Sequence, residues 1–226
     1  MCANWIGSFL LALLIVAGGP RVSQADLIIS NLDPTPFAFG GSGVSDSAGY
    51  TWLATAFTMG ATSFDLQSVD LLLEGGNSYA GIGVALYTDN GSGTGLGTWQ
   101  VDFDSSPIST LAAGEVNIRT LNPTASYTLQ SDTAYRLKLY TTGQGGDITW
   151  RGAYPSGVAL IATGPFATAP TNSALVQDGT ILQSGTLKPF GYQVNGLSAV
   201  PEPCSLALLG MAGGLIAFRF RSRSRG

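Results

Sequence analysis

Residues 129–139 have the sequence LQSDTAYRLKL, whose second half alternates between apolar and charged side chains. In an extended chain Tyr135, Leu137 and Leu139 point to one side. Arg136 and Lys138 point to the other, because successive side chains of a strand face opposite ways. One side therefore suits a hydrophobic core and the other suits the surface. The pattern predicts a β-strand that is buried on one face.

The same period of two recurs along the middle of the chain. The runs that show it are residues 64–73, 82–87, 99–103, 116–120 and 190–194. Near Ser68 the first run slips by one position, which predicts a β-bulge. In the third run Trp99 is in phase with Val101 and Phe103, so this tryptophan is predicted to face the core.

Turn-forming residues separate these runs. They cluster at residues 74–77, 89–93, 122–123, 143–147 and 164–165. No window keeps an apolar stripe at helical spacing through three turns. About ten short strands without helical crossovers predict an all-β domain, an antiparallel β-sandwich that is jelly-roll-like. Residues 40–50, GGSGVSDSAGY, are low in complexity and are predicted to form a surface loop.

The composition and charge of the chain limit the kinds of partner it can have. Of its 226 residues 45% are hydrophobic and only 11% are charged, which favours a core-forming domain over a coiled coil or charged disorder. All of the 14 acidic residues except Glu202 lie between Asp26 and Asp178, whereas half of the ten basic residues lie in the two end segments. The middle is therefore acidic, and a nucleic-acid partner is not expected.

The residues needed for common catalytic chemistry are missing from the sequence. The chain has no histidine, and its two cysteines, Cys2 and Cys204, lie near its ends. This excludes a Ser–His–Asp or Cys–His nucleophile and the usual zinc ligands from the middle. Asp102 and Asp104 share a strand face, which is more typical of solvent-facing carboxylates than of an opposed glycosidase pair. We expect no enzyme, no catalytic residue, no metal site and no cofactor.

Two features of the middle indicate ligand binding, and each has a structural alternative. Residues 89–93, DNGSG, resemble an oxygen-rich calcium loop, but an Asn-Gly pair directly after a strand favours a hairpin turn. Trp150 stands beside Arg151 and follows the glycine-rich residues 143–146. It is the best candidate for an exposed ring that stacks on a sugar, but a buried aromatic is favoured, because sandwich cores need large residues.

The first 25 residues have most features of a signal peptide. Residues 6–17, IGSFLLALLIVA, have the length of its apolar region, and the helix-ending residues 18–20 follow. Small residues at Ser23 and Ala25 predict cleavage between Ala25 and Asp26. The segment before the apolar run has no Lys or Arg, which departs from the usual pattern. The alternative is an uncleaved membrane anchor, for which the run is short.

A second apolar segment begins at Leu206 and ends at Phe218. As a helix its 13 residues reach about 20 Å, less than a hydrocarbon core of about 30 Å, so we predict a short transmembrane helix with a transient membrane contact. Arginines follow it and are expected to stay cytoplasmic. They are Arg219, Arg221, Arg223 and Arg225. A helix packed on the domain is the alternative, which the apolar surface on all sides disfavours.

A four-residue motif, Val200, Pro201, Glu202 and Pro203, stands directly before this helix. The order of motif, apolar helix and arginine cluster resembles the PEP-CTERM sorting signal. The resemblance implies recognition by a membrane protease-transpeptidase called exosortase, removal of the tail, and transfer to the cell surface or extracellular matrix. For Cys204, which follows the motif, a processing or lipidation role and that of a small residue at the membrane edge both stay open.

The middle of the chain also resembles a family. Residues 52–58 (WLATAFT), 64–73 (FDLQSVDLLL), 84–91 (VALYTDNG) and 129–139 are similar to the choice-of-anchor domains, with the R type closest. These are small β-sandwich modules of bacterial surface proteins with interchangeable C-terminal anchors. The resemblance implies the fold and the surface location, and it carries over no catalytic residue.

These features divide the chain into three parts: a signal peptide at residues 1–25, a β-sandwich domain at 26–199 and a sorting signal at 200–226. We expect export through the general secretion machinery and signal peptidase, an inner-membrane intermediate, and release to the surface or matrix by an exosortase-type enzyme. The function expected is a non-enzymatic structural or adhesive one. The alternative is a carbohydrate-binding module of the envelope or exopolysaccharide, with a polysaccharide as partner.

Overall fold

The computed structural model describes residues 25–32, 38–45, 52–91, 95–153, 162–169, 176–177, 180–181 and 190–198. Within these ranges the regular structure is fourteen strands and one short 3-10 helix at Ile108–Thr110. The strands are β1 Asp26–Ser30, β2 Ala38–Ser45, β3 Trp52–Met59, β4 Phe64–Ser78, β5 Ile82–Asp89, β6 Leu96–Phe103, β7 Val116–Leu121, β8 Thr128–Leu129, β9 Ala134–Thr141, β10 Asp147–Ala153, β11 Ala167–Thr168, β12 Val176–Gln177, β13 Thr180–Ile181 and β14 Tyr192–Ser198. All pairs of these strands are antiparallel, so the all-β prediction is confirmed.

The strands form two large sheets and a two-stranded ribbon of β12 and β13. The seven-stranded sheet has the order β1-β14-β4-β10-β2, with β7 and β8 also paired to β4. The five-stranded sheet has the order β11-β3-β9-β5-β6. The strand β9, which contains the alternating residues 135–139, is central in the second sheet and pairs with β3 on one side and β5 on the other.

Side chains of both sheets contribute to one hydrophobic cluster. Leu137 and Leu139 of β9 are fully buried in it, and so are Leu71 and Leu73 of β4. A polar contact joins the two sheets as well, because the Tyr192 hydroxyl of β14 donates to the backbone carbonyl of Ala56 in β3 at 3.3 Å. Burial raises the pKa of Tyr192 far above its ordinary value, which keeps this hydroxyl protonated in the core.

The bulge predicted near Ser68 is confirmed. Ser68 pairs with Asn195 and Leu66 pairs with Gly196, so Gln67 is an extra residue on β4 between two adjacent positions of β14. The extra residue restores the phase of the buried face, because Leu66 before it and Val69 after it both point into the core.

The surface loop predicted at residues 40–50 is wrong for its first half. Residues 40–45 belong to β2, which pairs with β10, and Val44 is fully buried. The glycines that suggested a loop allow close packing instead: a Cβ at Gly41 would lie 2.7 Å from both the Thr149 methyl carbon and the Trp150 carbonyl oxygen. Residues 46–50 lie outside the described residues.

Strand β4 holds two different strands end to end along one of its edges. Its first part pairs with β14 and its last part pairs with β10. Where they meet, the Gly191 amide donates to the Arg151 carbonyl at 2.8 Å, and the Gly191 carbonyl accepts from the Leu72 amide at 3.0 Å. A Cβ at Gly191 would lie 2.8 Å from the Leu72 Cβ, so this junction requires glycine.

Trp150 closes this strand junction from the core side. Its ring is stacked on Phe190 with centroids 4.5 Å apart, and its indole N–H donates to the Gly191 carbonyl at 3.0 Å. Asn31 binds on either side of the same glycine, because its side chain donates to the Phe190 carbonyl and accepts from the Tyr192 amide. The junction is therefore satisfied by side chains that are themselves buried.

Replacing Trp150 is expected to destabilise the fold strongly. Trp150→Ala leaves a large cavity and removes the donor to Gly191, so we expect a loss of about 3–5 kcal/mol in the free energy of unfolding. Trp150→Phe keeps most of the ring and loses the hydrogen bond, with an expected cost of about 1–2 kcal/mol. Urea denaturation measures both. The matched control is Trp99→Ala, because the structure places Trp99 on the surface, and its expected change is within about 0.5 kcal/mol of the parent. Equal unfolding midpoints for Trp150→Ala and the parent would contradict this account.

Candidate functional site

One face of the five-stranded sheet is rich in aromatic side chains although it points away from the hydrophobic core. We call it the aromatic face and define it by Trp52 of β3, Tyr87 of β5, Trp99 and Asp102 of β6, and Lys138 and Tyr140 of β9. The strand register places them in adjacent rows. Trp52 pairs with Tyr140, Tyr87 pairs with Trp99, and the row between them is Ala54, Lys138, Ala85 and Asp102.

Lys138 lies at the centre of the aromatic face. Its ammonium nitrogen lies over three rings, 5.3 Å from the centroid of Trp52, 5.4 Å from that of Tyr87 and 5.1 Å from that of Tyr140. Cation–π attraction at these distances favours one arrangement of the three rings. Ala54 and Ala85 flank Lys138 in its row. Both are small and buried, so the lysine is the long side chain at this point of the face.

Tyr140 packs across its neighbouring strand because that strand has a glycine there. Gly83 is its register partner, and a Cβ at Gly83 would lie 2.5 Å from the Tyr140 ring. The ring therefore lies over the glycine backbone, where any larger residue would displace it. The Tyr140 ring is therefore positioned by two contacts, with the Gly83 backbone and with the Lys138 ammonium group.

Trp99 reaches the aromatic face because of a bulge in β6. Val101 pairs with Leu86 while Trp99 pairs with Tyr87, so Gln100 is an extra residue on β6. An extra residue moves the preceding side chain to the opposite face. The prediction that Trp99 faces the core with Val101 and Phe103 is therefore wrong: Trp99 is 52% exposed, whereas Val101 and Phe103 are buried.

Polar contacts keep the bulge in place. The Tyr127 hydroxyl donates to the side-chain oxygen of Gln100 at 2.9 Å and lies 3.3 Å from the hydroxyl of buried Tyr135. Next to the bulge, the Thr88 hydroxyl accepts from the Thr98 amide at 2.9 Å, in place of a regular ladder bond. The Gln100 side chain is thus bound to Tyr127 while Trp99 points outward.

Asp102 orients the exposed ring of Trp99. The indole N–H donates to the Asp102 carboxylate at 3.2 Å. The same carboxylate acts on the tyrosines nearby. The pKa of Tyr87 and that of Tyr140 are raised, first by burial and then by the negative charge of Asp102. Asp102 therefore lies close enough to three aromatic side chains to influence each of them.

An ion pair borders the aromatic face on the side of Tyr87. Arg136 donates to the Asp89 carboxylate from Nη2 at 2.8 Å and from Nε at 3.0 Å, and its side chain is 3% exposed. The other Asp89 oxygen accepts from the Gly91 amide at 2.8 Å, and Gly91 has a φ of 77°. Residues 89–91 thus begin the connection between two antiparallel strands, as the hairpin interpretation predicts, while residues 92 and 93 lie outside the described residues.

The outer face of the seven-stranded sheet has a different character. There Thr120 and Asn195 donate to the Asp70 carboxylate, and Asn195 also donates to Ser68. Nearby, Arg151 forms an ion pair with Glu74. These side chains bind one another across strands and present a polar surface. The two sheets therefore offer one polar and one aromatic outer face.

The structure changes the interpretation of Trp150 and of the two aspartates. Trp150, the candidate for an exposed sugar-stacking ring, is 0% exposed and stacked on Phe190, so this candidate role is wrong and the favoured core interpretation holds. Asp104 lies beyond the end of β6 and accepts hydrogen bonds from the amide and hydroxyl of Ser106, whereas Asp102 lies on the strand. The two carboxylates do not form a pair on one strand face.

The predicted end signals lie mostly outside the described residues. This applies to the signal helix before Ala25, to the sorting motif Val200–Pro203, to the membrane segment from Leu206 to Phe218 and to the arginines after it. Ala25 and Asp26, the residues on either side of the predicted cleavage, are described and exposed, and Asp26 begins β1.

Searches for a metal centre and a membrane span give negative results within the described ranges. There, no three His, Cys, Asp or Glu side chains are arranged to hold a metal ion. A separate search of the same residues finds no helix that is long and apolar enough to cross a bilayer.

Comparison of the chain with protein-family models, with curated proteins and with solved structures finds no match.

The aromatic face is the strongest candidate site among the described residues. It combines an exposed indole, two partly exposed tyrosines, a carboxylate and a lysine on neighbouring strands. Such a surface can bind a ligand by ring stacking and by hydrogen bonds to Asp102. The alternation of Arg136 and Lys138 predicted the outward face of β9 from sequence. The bulge at Gln100, which brings Trp99 to the aromatic face, has no sequence pattern of comparable strength.

The pKa values of the tyrosines offer a test of this geometry. We expect Asp102→Asn to lower the pKa of Tyr87 and of Tyr140 toward the ordinary value of about 10, because the negative charge is removed while burial stays. Alkaline titration of the tyrosinate absorbance, assigned with Tyr87→Phe and Tyr140→Phe, measures the shift. Asp104→Asn is the matched control and should leave both values unchanged.

The raised pKa values of Tyr87 and Tyr140 determine how the stability of the fold depends on pH. Above about pH 10 the unfolded chain releases tyrosine protons that the folded chain retains, so the free energy of unfolding falls as the pH rises further. Below that pH both states hold these protons and the tyrosines contribute no pH dependence. For the tyrosine titration, an Asp102→Asn absorbance curve that overlays the parent curve would contradict the influence of Asp102 on Tyr87 and Tyr140.

Proposed function

We propose that this chain is an exported, non-enzymatic protein of the cell surface or extracellular matrix, with a structural or adhesive role. The observation that supports it best is where the strands begin and end. β1 begins at Asp26, directly after the predicted signal-peptide cleavage, and β14 ends at Ser198, before Val200 of the sorting motif. Among the described residues, every strand therefore lies between the two predicted signals.

The proposed domain is a β-sandwich that is jelly-roll-like, preceded by a signal helix and followed by a short hydrophobic helix. The shared hydrophobic cluster of the two large sheets supports the sandwich. So does the hydrogen bond from Tyr192 in one sheet to Ala56 in the other. A domain of this kind needs no disulfide or metal, since its core is large.

The proposed route has two processing steps. Signal peptidase removes the N-terminal segment after Ala25, and an exosortase-type enzyme recognises residues 200–203 while the apolar segment and its arginines hold the chain in the inner membrane. The short apolar segment suits this transient hold better than a permanent anchor.

Carbohydrate binding is the second candidate function. The observation that favours it is the aromatic face, in particular Trp99, which is exposed and hydrogen-bonded to Asp102. Surface proteins of a polysaccharide matrix contact sugars, whose apolar ring faces stack on aromatic side chains. This candidate is compatible with the first, because sorting determines the location of the domain and binding would determine what it touches there.

The sorting proposal is tested by Glu202→Ala in a host that has the sorting enzyme. We expect the variant to keep its C-terminal segment and to accumulate in the membrane fraction, because the acidic residue is part of the motif that the enzyme would recognise. Fractionation and immunoblotting with a C-terminal tag measure this. Ser205→Ala, beside the motif, is the control and should be processed like the parent. Unchanged size and location of the Glu202→Ala protein would contradict the proposal.

A further inference from the structure

We infer that the aromatic face binds a neutral polysaccharide, with Trp99 stacked on a sugar ring and the Asp102 carboxylate accepting hydrogen bonds from sugar hydroxyls. The inference deepens the proposed function, since it names the partner that a matrix-located domain would contact. It depends on different residues from the sorting proposal, so the two can fail separately.

Trp99 is the first reason. It is the most exposed of the large hydrophobic side chains in the described part of the chain, at 52%, ahead of Leu27 and Val116. Its ring has a defined orientation because Asp102 accepts from the indole N–H. An exposed indole contributes little to the free energy of folding. An oriented aromatic surface of this kind is well suited to ligand contact. The bulge at Gln100 moves Trp99 outward, and bulges are over-represented at sheet edges such as β6 and next to active sites.

The combination of a ring and a carboxylate indicates the class of ligand. A sugar ring presents C–H groups on its faces, which are attracted to the negative face of an indole, and hydroxyl groups around its edge. Asp102 lies beside the indole and provides acceptor oxygens for those hydroxyls. A purely apolar partner would have to bury the Asp102 charge without a donor, at a high cost.

The charges of the face favour a neutral polymer over an anionic one. Lys138 lies over three rings, and Arg136, which borders the face, is paired with Asp89, so both of these cations are already engaged. Asp102 adds a negative charge beside Trp99. The domain around the face is acidic as well, because all acidic residues but Glu202 lie between Asp26 and Asp178. The negative charge of the domain would therefore repel an anionic polysaccharide within the Debye length.

The size of the face indicates a chain of sugars and not a single one. Aromatic residues of the face lie on four adjacent strands, β6, β5, β9 and β3, with Trp99 at one end and Trp52 at the other. Neighbouring strands are about 4.8 Å apart, so three spacings give a width of about 14 Å. This width accommodates several sugar rings, so affinity is expected to increase with oligosaccharide length.

The test measures binding of the purified protein to soluble polysaccharides. Both the full chain and the processed protein can be used. Affinity electrophoresis with three neutral polymers (β-glucan, dextran and galactomannan) and one anionic polymer, alginate, gives retardation for each. We expect retardation by at least one neutral polymer and none by alginate. Trp99→Ala should weaken that binding about tenfold or more, whereas Trp99→Phe keeps an aromatic ring and should retain most of it.

Val116→Ala is the matched control, because Val116 is exposed on β7 of the other sheet and should bind like the parent. Thermal unfolding verifies that each variant is folded. Parent-like binding by Trp99→Ala, retardation by alginate alone, or no retardation by any of the polymers would overturn the inference. If Trp99→Ala loses binding but is sorted normally, the binding inference and the proposed location are both supported. If Glu202→Ala is not processed but still binds, the binding site is shown to act independently of sorting.

Discussion

The structure depends on one long strand, β4, whose edge is shared by two strands that arrive from different parts of the chain. Its fifteen residues pair with β14 along the first part and with β10 along the last. Such an end-to-end arrangement leaves backbone groups unpaired at the gap unless something bridges them. Gly191 bridges the gap with its own amide and carbonyl, and Trp150, Phe190 and Asn31 complete the hydrogen bonds and the packing around it.

Two single-residue bulges decide which side chains face the core. At Gln67 the extra residue returns β4 to the phase that buries Leu66 and Val69. At Gln100 the extra residue does the opposite for the start of β6, since it moves Trp99 from the core side to the surface. A slip by one position reverses every side chain beyond it, so a local irregularity determines whether this sheet has an aromatic surface.

The all-β class and most strands could be predicted from the sequence, because alternation of residues 135–139 and 64–73 reports directly on burial. The bulge at Gln67 was visible too, since apolar residues on both sides of it reveal the change of phase. The bulge at Gln100 was not, because Trp99 fits either face chemically and only the pairing with Tyr87 decides. For Trp150 the favoured core interpretation holds, but the residues that bury it could not be identified from the sequence. Its charged and glycine-rich neighbours suggest exposure, while its burial results from Phe190 and Gly191, distant in sequence.

The exposed tryptophan is thus Trp99 and not Trp150, so the candidate ligand surface lies on the outer face of the five-stranded sheet and not at β10. The central claim about the whole chain is that this domain is a mature product released from two end signals. Intact mass spectrometry of the wild-type protein, recovered from the surface or matrix fraction of its native host, tests that claim most directly. The account predicts a chain that begins at Asp26 and lacks the residues after the sorting motif. A full-length mass, or a protein found only in the cytoplasm, would contradict it.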